Sequence, residues 1–322
     1  MDIQTIKNRV LRKEWIGKAE AIWLAEQELE ELCEAADEIR NFFCGNSFDI
    51  CAIINGKSGR CTEDCKYCAQ SAFYHTWADE YSLLSTEEIA SQAEYNAQKG
   101  VLRYSIVTSG RCLSDKEVDR MCESIREIKR RTGLSVCVSF GLLNESQYRK
   151  LKEAGAERVH NNLESSRAYF PEVCTTHTYD DKIDAIRAAQ AAGLSVCSGG
   201  IMGLGESMED RIDMVLTIRK LGVHSIPLNI LNPIPGTPYE QNQRLTEEEV
   251  RKITAIFRFL APDASIRLAG GRGLLEDKGR SCFQSGANAA ISGDMLTTVG
   301  ITISQDLQMI RELGYVPRLW NR

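Results

Sequence analysis

Residues 58–71 read Ser-Gly-Arg-Cys-Thr-Glu-Asp-Cys-Lys-Tyr-Cys-Ala-Gln-Ser, which sets Cys61, Cys65 and Cys68 at C-x3-C-x2-C spacing. Thiolates suit iron. Three of them can each hold one corner of a cuboidal 4Fe-4S cluster and leave the fourth iron open to a small molecule. An open iron points to catalysis rather than storage. Two other readings of the same thiols stay in view. Structural zinc asks for four ligands, usually as paired C-x2-C knuckles, and no second knuckle of that spacing follows. A ferredoxin-type carrier would show a run of four cysteines and would not need so long a chain.

The chain has twelve cysteines among 322 residues. Its first residues mix charge into every short window, and no apolar stretch reaches the length of a signal peptide or a membrane span. The expectation is a cytoplasmic protein with no membrane partner, in which metal ligation or catalysis explains thiols better than disulfides. Cys33, Cys44, Cys51, Cys122 and Cys282 lie where any small buried residue would serve, and they read as packed thiols. A formal net charge of -6 argues against nucleic acid as the main partner, since phosphate binding needs a concentrated positive surface. With 43% apolar and 26% charged residues, the composition is that of a compact globular domain.

Something must position the thiols. Helical periodicity runs over residues 18–42, and from about residue 50 strand and helix signals alternate. Strands are expected at 51–55, 103–108, 134–140, 157–163, 194–201, 224–231, 265–270 and 288–292, with helices such as 86–99, 115–131 and 180–192 between them. Polar caps with acids in the first turn, at Ser85, Ser114 and Thr246, mark helix starts. Eight successive βα units predict an α/β fold, a (β/α)8 TIM-type barrel over 46–322 behind an N-terminal helical extension over 1–45. An open doubly wound sheet is the alternative.

In such a barrel the strand side chains alternate between the helices outside and the lumen inside. The inward set is polar: Ser105; Ser135, Cys137 and Ser139; His160, Asn162 and Glu164; Ser195 and Cys197; Asn229; and Arg267. A purely structural barrel would stack Val, Ile and Leu there. Cys, Asn, Glu and Arg in a lumen need metal or ligand partners, or a closed hydrogen-bond network, to offset about 1–3 kcal/mol of desolvation for each unpaired group.

The cysteine loop, with Tyr67 between its last two thiols, resembles that of the radical S-adenosylmethionine (SAM) superfamily. The resemblance runs through nearly the whole chain and is closest to the biotin synthase family. It is carried by Cys61–Ser71, Asn162-Leu163-Glu164, Thr175–Tyr179, Val196–Ile201, Ile226–Asn229 and Ile266-Arg267-Leu268. It implies that the open iron chelates SAM and that the reduced cluster cleaves it to a 5′-deoxyadenosyl radical. That radical abstracts hydrogen from dethiobiotin so that sulfur can be inserted. Carried over by position, Tyr67, Thr108, Asn162, Glu164 and Ile201 would contact SAM, and Asn162 with Asn229 would hold the ureido ring of the substrate. The Gly203–Glu206 loop would lie near SAM.

The resemblance also implies an auxiliary iron–sulfur cluster on three strand cysteines and one arginine. The matching positions are Ser105, Cys137, Cys197 and Arg267, so one thiolate is replaced by a hard hydroxyl. Cys112 and Cys174, in loops at the catalytic face, are the expected replacements, giving either a 2Fe-2S cluster or a larger 4Fe cluster with an extra sulfide. His160 stands where relatives have asparagine and reads most simply as a satisfied buried imidazole. A homodimer and a small electron donor such as a flavodoxin or ferredoxin are expected on the same resemblance. Within enzymes the competing reading is another radical SAM reaction, such as that of a hydrogenase-cofactor maturase; from another class, it is an iron–sulfur carrier or scaffold.

Overall fold

A computed structural model describes residues 2–293, 295 and 300–320. Three helices lead the chain: α1 (Ile3–Leu11), α2 (Lys18–Ala25) and α3 (Leu29–Cys44). The single periodic stretch expected over 18–42 is thus two helices. Gln27 ends the first of them, its side-chain amide donating to Trp23 O (2.7 Å) and its backbone N–H to Leu24 O. The helices are tied to the rest of the chain by Lys18 on Asp213 and by Arg251 on Glu30.

Ten strands follow among the described residues: β1 (Ser47–Lys57), β2 (Arg103–Thr108), β3 (Ser135–Ser139), β4 (Arg158–His160), β5 (Ser195–Cys197), β6 (Gly200–Met202), β7 (Ser225–Ile230), β8 (Ser265–Leu268), β9 (Ala289–Ile291) and β10 (Val316–Pro317). All eight expected strands are present. β5 and β6 are two halves of one strand that changes partner: β5 pairs with β4, while β6 pairs with β7. Bonds across this bend close the sheet, with Leu163 N–H donating to Gly199 O, Ile201 N–H to Glu164 O, and Ser198 N–H to Ser225 O. The result is an eight-staved parallel barrel, with β10 added to the lower end of β1.

Glycine makes the closure possible. A Cβ at Gly199 would stand 1.9 Å from Pro227 O, and one at Gly200 would stand 2.3 Å from Glu164 O. Only a residue without a side chain lets the neighbouring staves approach this closely.

Helices on the outside run antiparallel to the strands, including Thr86–Gln98, Asp115–Arg131, Tyr179–Ala191 and Glu247–Leu260. The expected caps at Ser85, Ser114 and Thr246 each accept a hydrogen bond from the backbone N–H three residues on, and Glu88, Glu117 and Glu249 complete capping boxes. The helix Ile303–Glu312, for which the sequence showed no clear signal, is tied to the barrel by a buried Arg272–Asp306 ion pair (2.6 Å). No helix among the described residues is long and apolar enough to cross a membrane.

Candidate active site

The C-terminal ends of the strands open into a cavity of about 400 Å³, within the range of small-ligand pockets. Cys61, Cys65 and Cys68 line its rim on the long loop between β1 and the first barrel helix. After the last cysteine this loop forms turns, with Phe73 and Trp77 exposed.

Local bonds hold the three thiols in place. Cys61 N–H donates to Gln70 O (3.0 Å), Ala72 N–H returns to Cys61 O (2.8 Å), and Cys68 N–H donates to Cys65 O (2.9 Å). The two acids between the first two cysteines pin this loop to residues 173–177. Asp64 Oδ1 accepts from the backbone N–H groups of Thr175 (2.8 Å) and Thr176 (3.1 Å), while Glu63 pairs with His177. Lys66 N–H donates to Val173 O (2.9 Å). Although partial burial works against it, the hydrogen bonds from Thr175 hold the Asp64 carboxyl well below its usual range. Glu63, Asp64 and His177 escaped sequence reasoning because their partners lie more than 100 residues apart.

Behind the loop, Tyr67 OH donates to Glu164 Oε1 (2.9 Å) and Asn162 Nδ2 to Glu164 Oε2 (3.3 Å). Burial, followed by the adjacent Glu164 carboxylate, pushes the Tyr67 phenol well above its ordinary value. Glu164 has a left-handed backbone (φ 67°), a strained conformation for a side chain of this size and one that clusters at functional sites. Asn162 Oδ1 accepts from Gly199 N–H (3.0 Å). Asn229 Oδ1 accepts from Gly270 N–H (2.9 Å), and its Nδ2 donates to Gly200 O (3.0 Å). Thr108 Oγ1 is buried without a hydrogen-bond partner among the described residues, and Ile201 completes this wall.

Deeper in the lumen lie Ser105, Cys137, Ser139, His160, Cys197 and Arg267, all lining the same cavity as the parity of the strands requires. Ser135 and Ser195 do not line it. They sit one layer lower, at the N-terminal ends of β3 and β5, where they accept from Arg103 (2.8 Å) and Arg158 (3.2 Å). Arg267 is anchored by Asp49, its Nη1 donating to Asp49 O (2.9 Å) and its Nη2 lying 3.1 Å from the carboxylate. Burial opposes ionisation of Cys197, yet the hydrogen bond with His160 and the guanidinium groups nearby bring its thiol down to about 6. His160 lines the cavity beside Cys197, its partner in the β4–β5 register.

The two expected replacement thiols are elsewhere. Cys112 is exposed, on a bridge to Gly141, and does not line the cavity. Cys174 lies on the outer side of the rim, hydrogen-bonded to Asp64 (3.1 Å) and His177 Nδ1 (3.2 Å), with Cys65 in the same cluster. Neither stands with Cys137 and Cys197. Cys51, read from sequence as a packed thiol, does line the cavity. The Gly203–Glu206 loop also stays behind the wall, where Leu204 O accepts from Tyr169 OH (2.9 Å).

The donor sets fit iron–sulfur groups. Three thiols on a loop at the mouth and further thiols in the lumen below face one cavity, with hydrogen-bonding amides between them. Such a barrel and loop define a radical SAM enzyme. The profile of the radical SAM superfamily matches residues 57–218, and that of the Biotin and Thiamin Synthesis associated domain matches residues 227–316. The biotin synthases of Brachyspira hyodysenteriae and Akkermansia muciniphila are each 56% identical over 315 residues. The matches cover 98% of this chain in both cases, and 95% and 98% of those proteins. The chain belongs to the biotin synthase family.

Among solved structures, methylornithine synthase superposes with a TM-score of 0.85 at 20% identity, covering 98% of both chains. The FeFe-hydrogenase maturase of Carboxydothermus hydrogenoformans reaches 0.82 at 17% identity, over 98% of this chain and 79% of its own. These likenesses show a shared fold.

Proposed function

We propose that the chain closes the thiolane ring of biotin by inserting sulfur between two unactivated carbons of dethiobiotin. The observation that carries this reading is a single cavity lined both by the three-thiol loop and by a second set of lumen thiols, with the amides of Asn162 and Asn229 between them. When bound, a 4Fe-4S cluster on Cys61, Cys65 and Cys68 supplies the electron that cleaves SAM to the hydrogen-abstracting 5′-deoxyadenosyl radical, and an auxiliary iron–sulfur cluster supplies the sulfur.

The chain's own residues orient the reactants. Tyr67, Thr108, Asn162, Glu164 and Ile201 form the SAM wall. The unpartnered Thr108 hydroxyl is available to a polar ligand group, and Glu164 is held by two donors so that its carboxylate points one way. Asn162 and Asn229 each commit one donor and one acceptor to neighbouring groups, which fixes the amide plane. Each keeps a second N–H and a second lone pair, a match for a cyclic urea. Cys137, Cys197 and Arg267 would hold the auxiliary cluster. A cavity walled by the barrel keeps a reactive radical away from competing hydrogen donors.

The same reading includes a homodimer, a small donor such as a flavodoxin or ferredoxin, and a cytoplasmic setting. It divides the chain into an N-terminal helical extension at 1–45 and the barrel with its auxiliary-cluster part at 46–322. Exposed Trp15 and Phe42 on the extension and exposed Phe73 and Trp77 beside the cysteine loop are the apolar surfaces available for such contacts.

The test is anaerobic reconstitution with iron and sulfide, followed by SAM, a reductant and dethiobiotin, with 5′-deoxyadenosine and biotin quantified by mass spectrometry. Both products are expected. Deoxyadenosine without biotin from protein loaded at both sites would remove the sulfur insertion and leave the maturase-like alternative; neither product would leave the carrier.

A further inference from the structure

Ser105 cannot supply the third thiolate of the lumen cluster, and Cys112 and Cys174 do not reach it. We infer that Cys51 on β1 is the third cysteine ligand of the auxiliary cluster, completing a ring with Cys137, Cys197 and Arg267. This rests on the sulfur-insertion reading above, which requires such a cluster.

The argument is one of register. In an eight-stranded barrel with tilted strands, a layer of lumen side chains comes from four alternate strands, and the layer climbs two residues for every two strands crossed. Cys51 is opposite Arg103 on β2, which is opposite Ser135 on β3; two residues on is Cys137. Cys137 is opposite Arg158, which is opposite Ser195; two residues on is Cys197. The β6–β7 register and the bond from Ser198 N–H to Ser225 O set Cys197 beside Ser225, which is opposite Ser265; two residues on is Arg267. Arg267 is opposite Ala289, which is opposite Asp49; two residues on is Cys51 again. The path closes on itself, so these four side chains form one layer.

Ser105 belongs to the layer above, with His160, Pro227 and Ile291, by the same count. It is opposite Cys137 in the β2–β3 register and is therefore a neighbour of the ligand set rather than a member. Among the described residues, the group of ligand atoms gathered tightly enough for one ion is Cys65, Cys174 and His177. The layer thiols are wider apart than that, as ligands spread over several irons must be.

Arg103, Arg158 and Arg267 are buried around this layer together with the Asp49 carboxylate, and nearby guanidinium groups suit a thiolate-ligated cluster, which carries negative charge. A cysteine on β1 in place of one on β2 keeps the thiolate count while moving one ligand to the layer below.

The experiment uses the full chain carrying Cys61→Ala, Cys65→Ala and Cys68→Ala, so that any iron it binds on anaerobic reconstitution reports the auxiliary site alone. Iron and sulfide content, visible absorbance and Mössbauer spectra are recorded, with circular dichroism checking the fold. Cys51→Ser in that background is expected to abolish or convert the cluster signal, as Cys137→Ser does, and adding Ser105→Cys to Cys51→Ser is expected to restore a cluster. Cys112→Ala and Cys174→Ala are expected to leave it unchanged. A signal in Cys51→Ser identical to its parent overturns the assignment. Should the Ser variant fail to fold, Cys51→Ala replaces it under the same criterion. A parent that binds no iron removes the sulfur-insertion reading itself, and the Cys51 ligand with it.

Discussion

Each amide and carboxylate on the cavity wall is held by a backbone group or a neighbour, so single substitutions there should separate binding from chemistry. Asn229→Ala removes one of two urea-facing amides. It is expected to raise the KM for dethiobiotin about tenfold, in line with about 1.5 kcal/mol for a hydrogen bond, while SAM cleavage continues and more 5′-deoxyadenosine is made per biotin; steady-state assay of both products checks this. Glu164→Gln keeps the shape but loses the charge and one acceptor for Tyr67, and should weaken SAM binding more than dethiobiotin binding, read by equilibrium dialysis of each ligand. The thiol loop was legible because three cysteines and their spacing are local. The acids that pin it were not, since Asp64 meets Thr175 and Thr176 only through the fold. That Cys51 lines the cavity was not legible for a related reason: its neighbours on β1 are Ile50 and Ala52, and nothing in that apolar run says which face meets the lumen.

Among the elements, the bent strand formed by β5 and β6 carries the closure of the barrel. Gly199→Ala would force a methyl group against Pro227 O and is expected to destabilise the fold severely, by more than about 3 kcal/mol, measured as the urea midpoint. The Arg272–Asp306 pair is fully buried, so Asp306→Ala leaves an uncompensated guanidinium and should cost about 3–5 kcal/mol, read as a fall in Tm. Strand positions were visible in the sequence because lumen and helix faces alternate with period two, and helix starts because Ser and Thr caps with acids three residues later form a local code. The division of residues 18–42 into two helices was not visible. Its apolar period continues across the break, and the capping of Trp23 by Gln27 is a matter of geometry rather than pattern.

At the scale of the molecule, the apolar core lies between strands and helices and is built without any thiol ligand in the lumen. Chelation of all iron is therefore expected to erase the visible absorbance while leaving the far-ultraviolet circular dichroism and a cooperative thermal transition in place, unlike a small metal-folded domain. The sequence by itself determined the barrel, the three-thiol loop, the polar lumen and the family resemblance, because each is written in local periodicity, spacing or residue type. Only the tertiary structure decided which thiols share a layer, that Cys174 stands beside Cys65 and that Cys51 faces Cys137 and Cys197. Those relations depend on strand tilt and on the closure at Gly199 and Gly200, which set how residues far apart in the chain rise around a common axis.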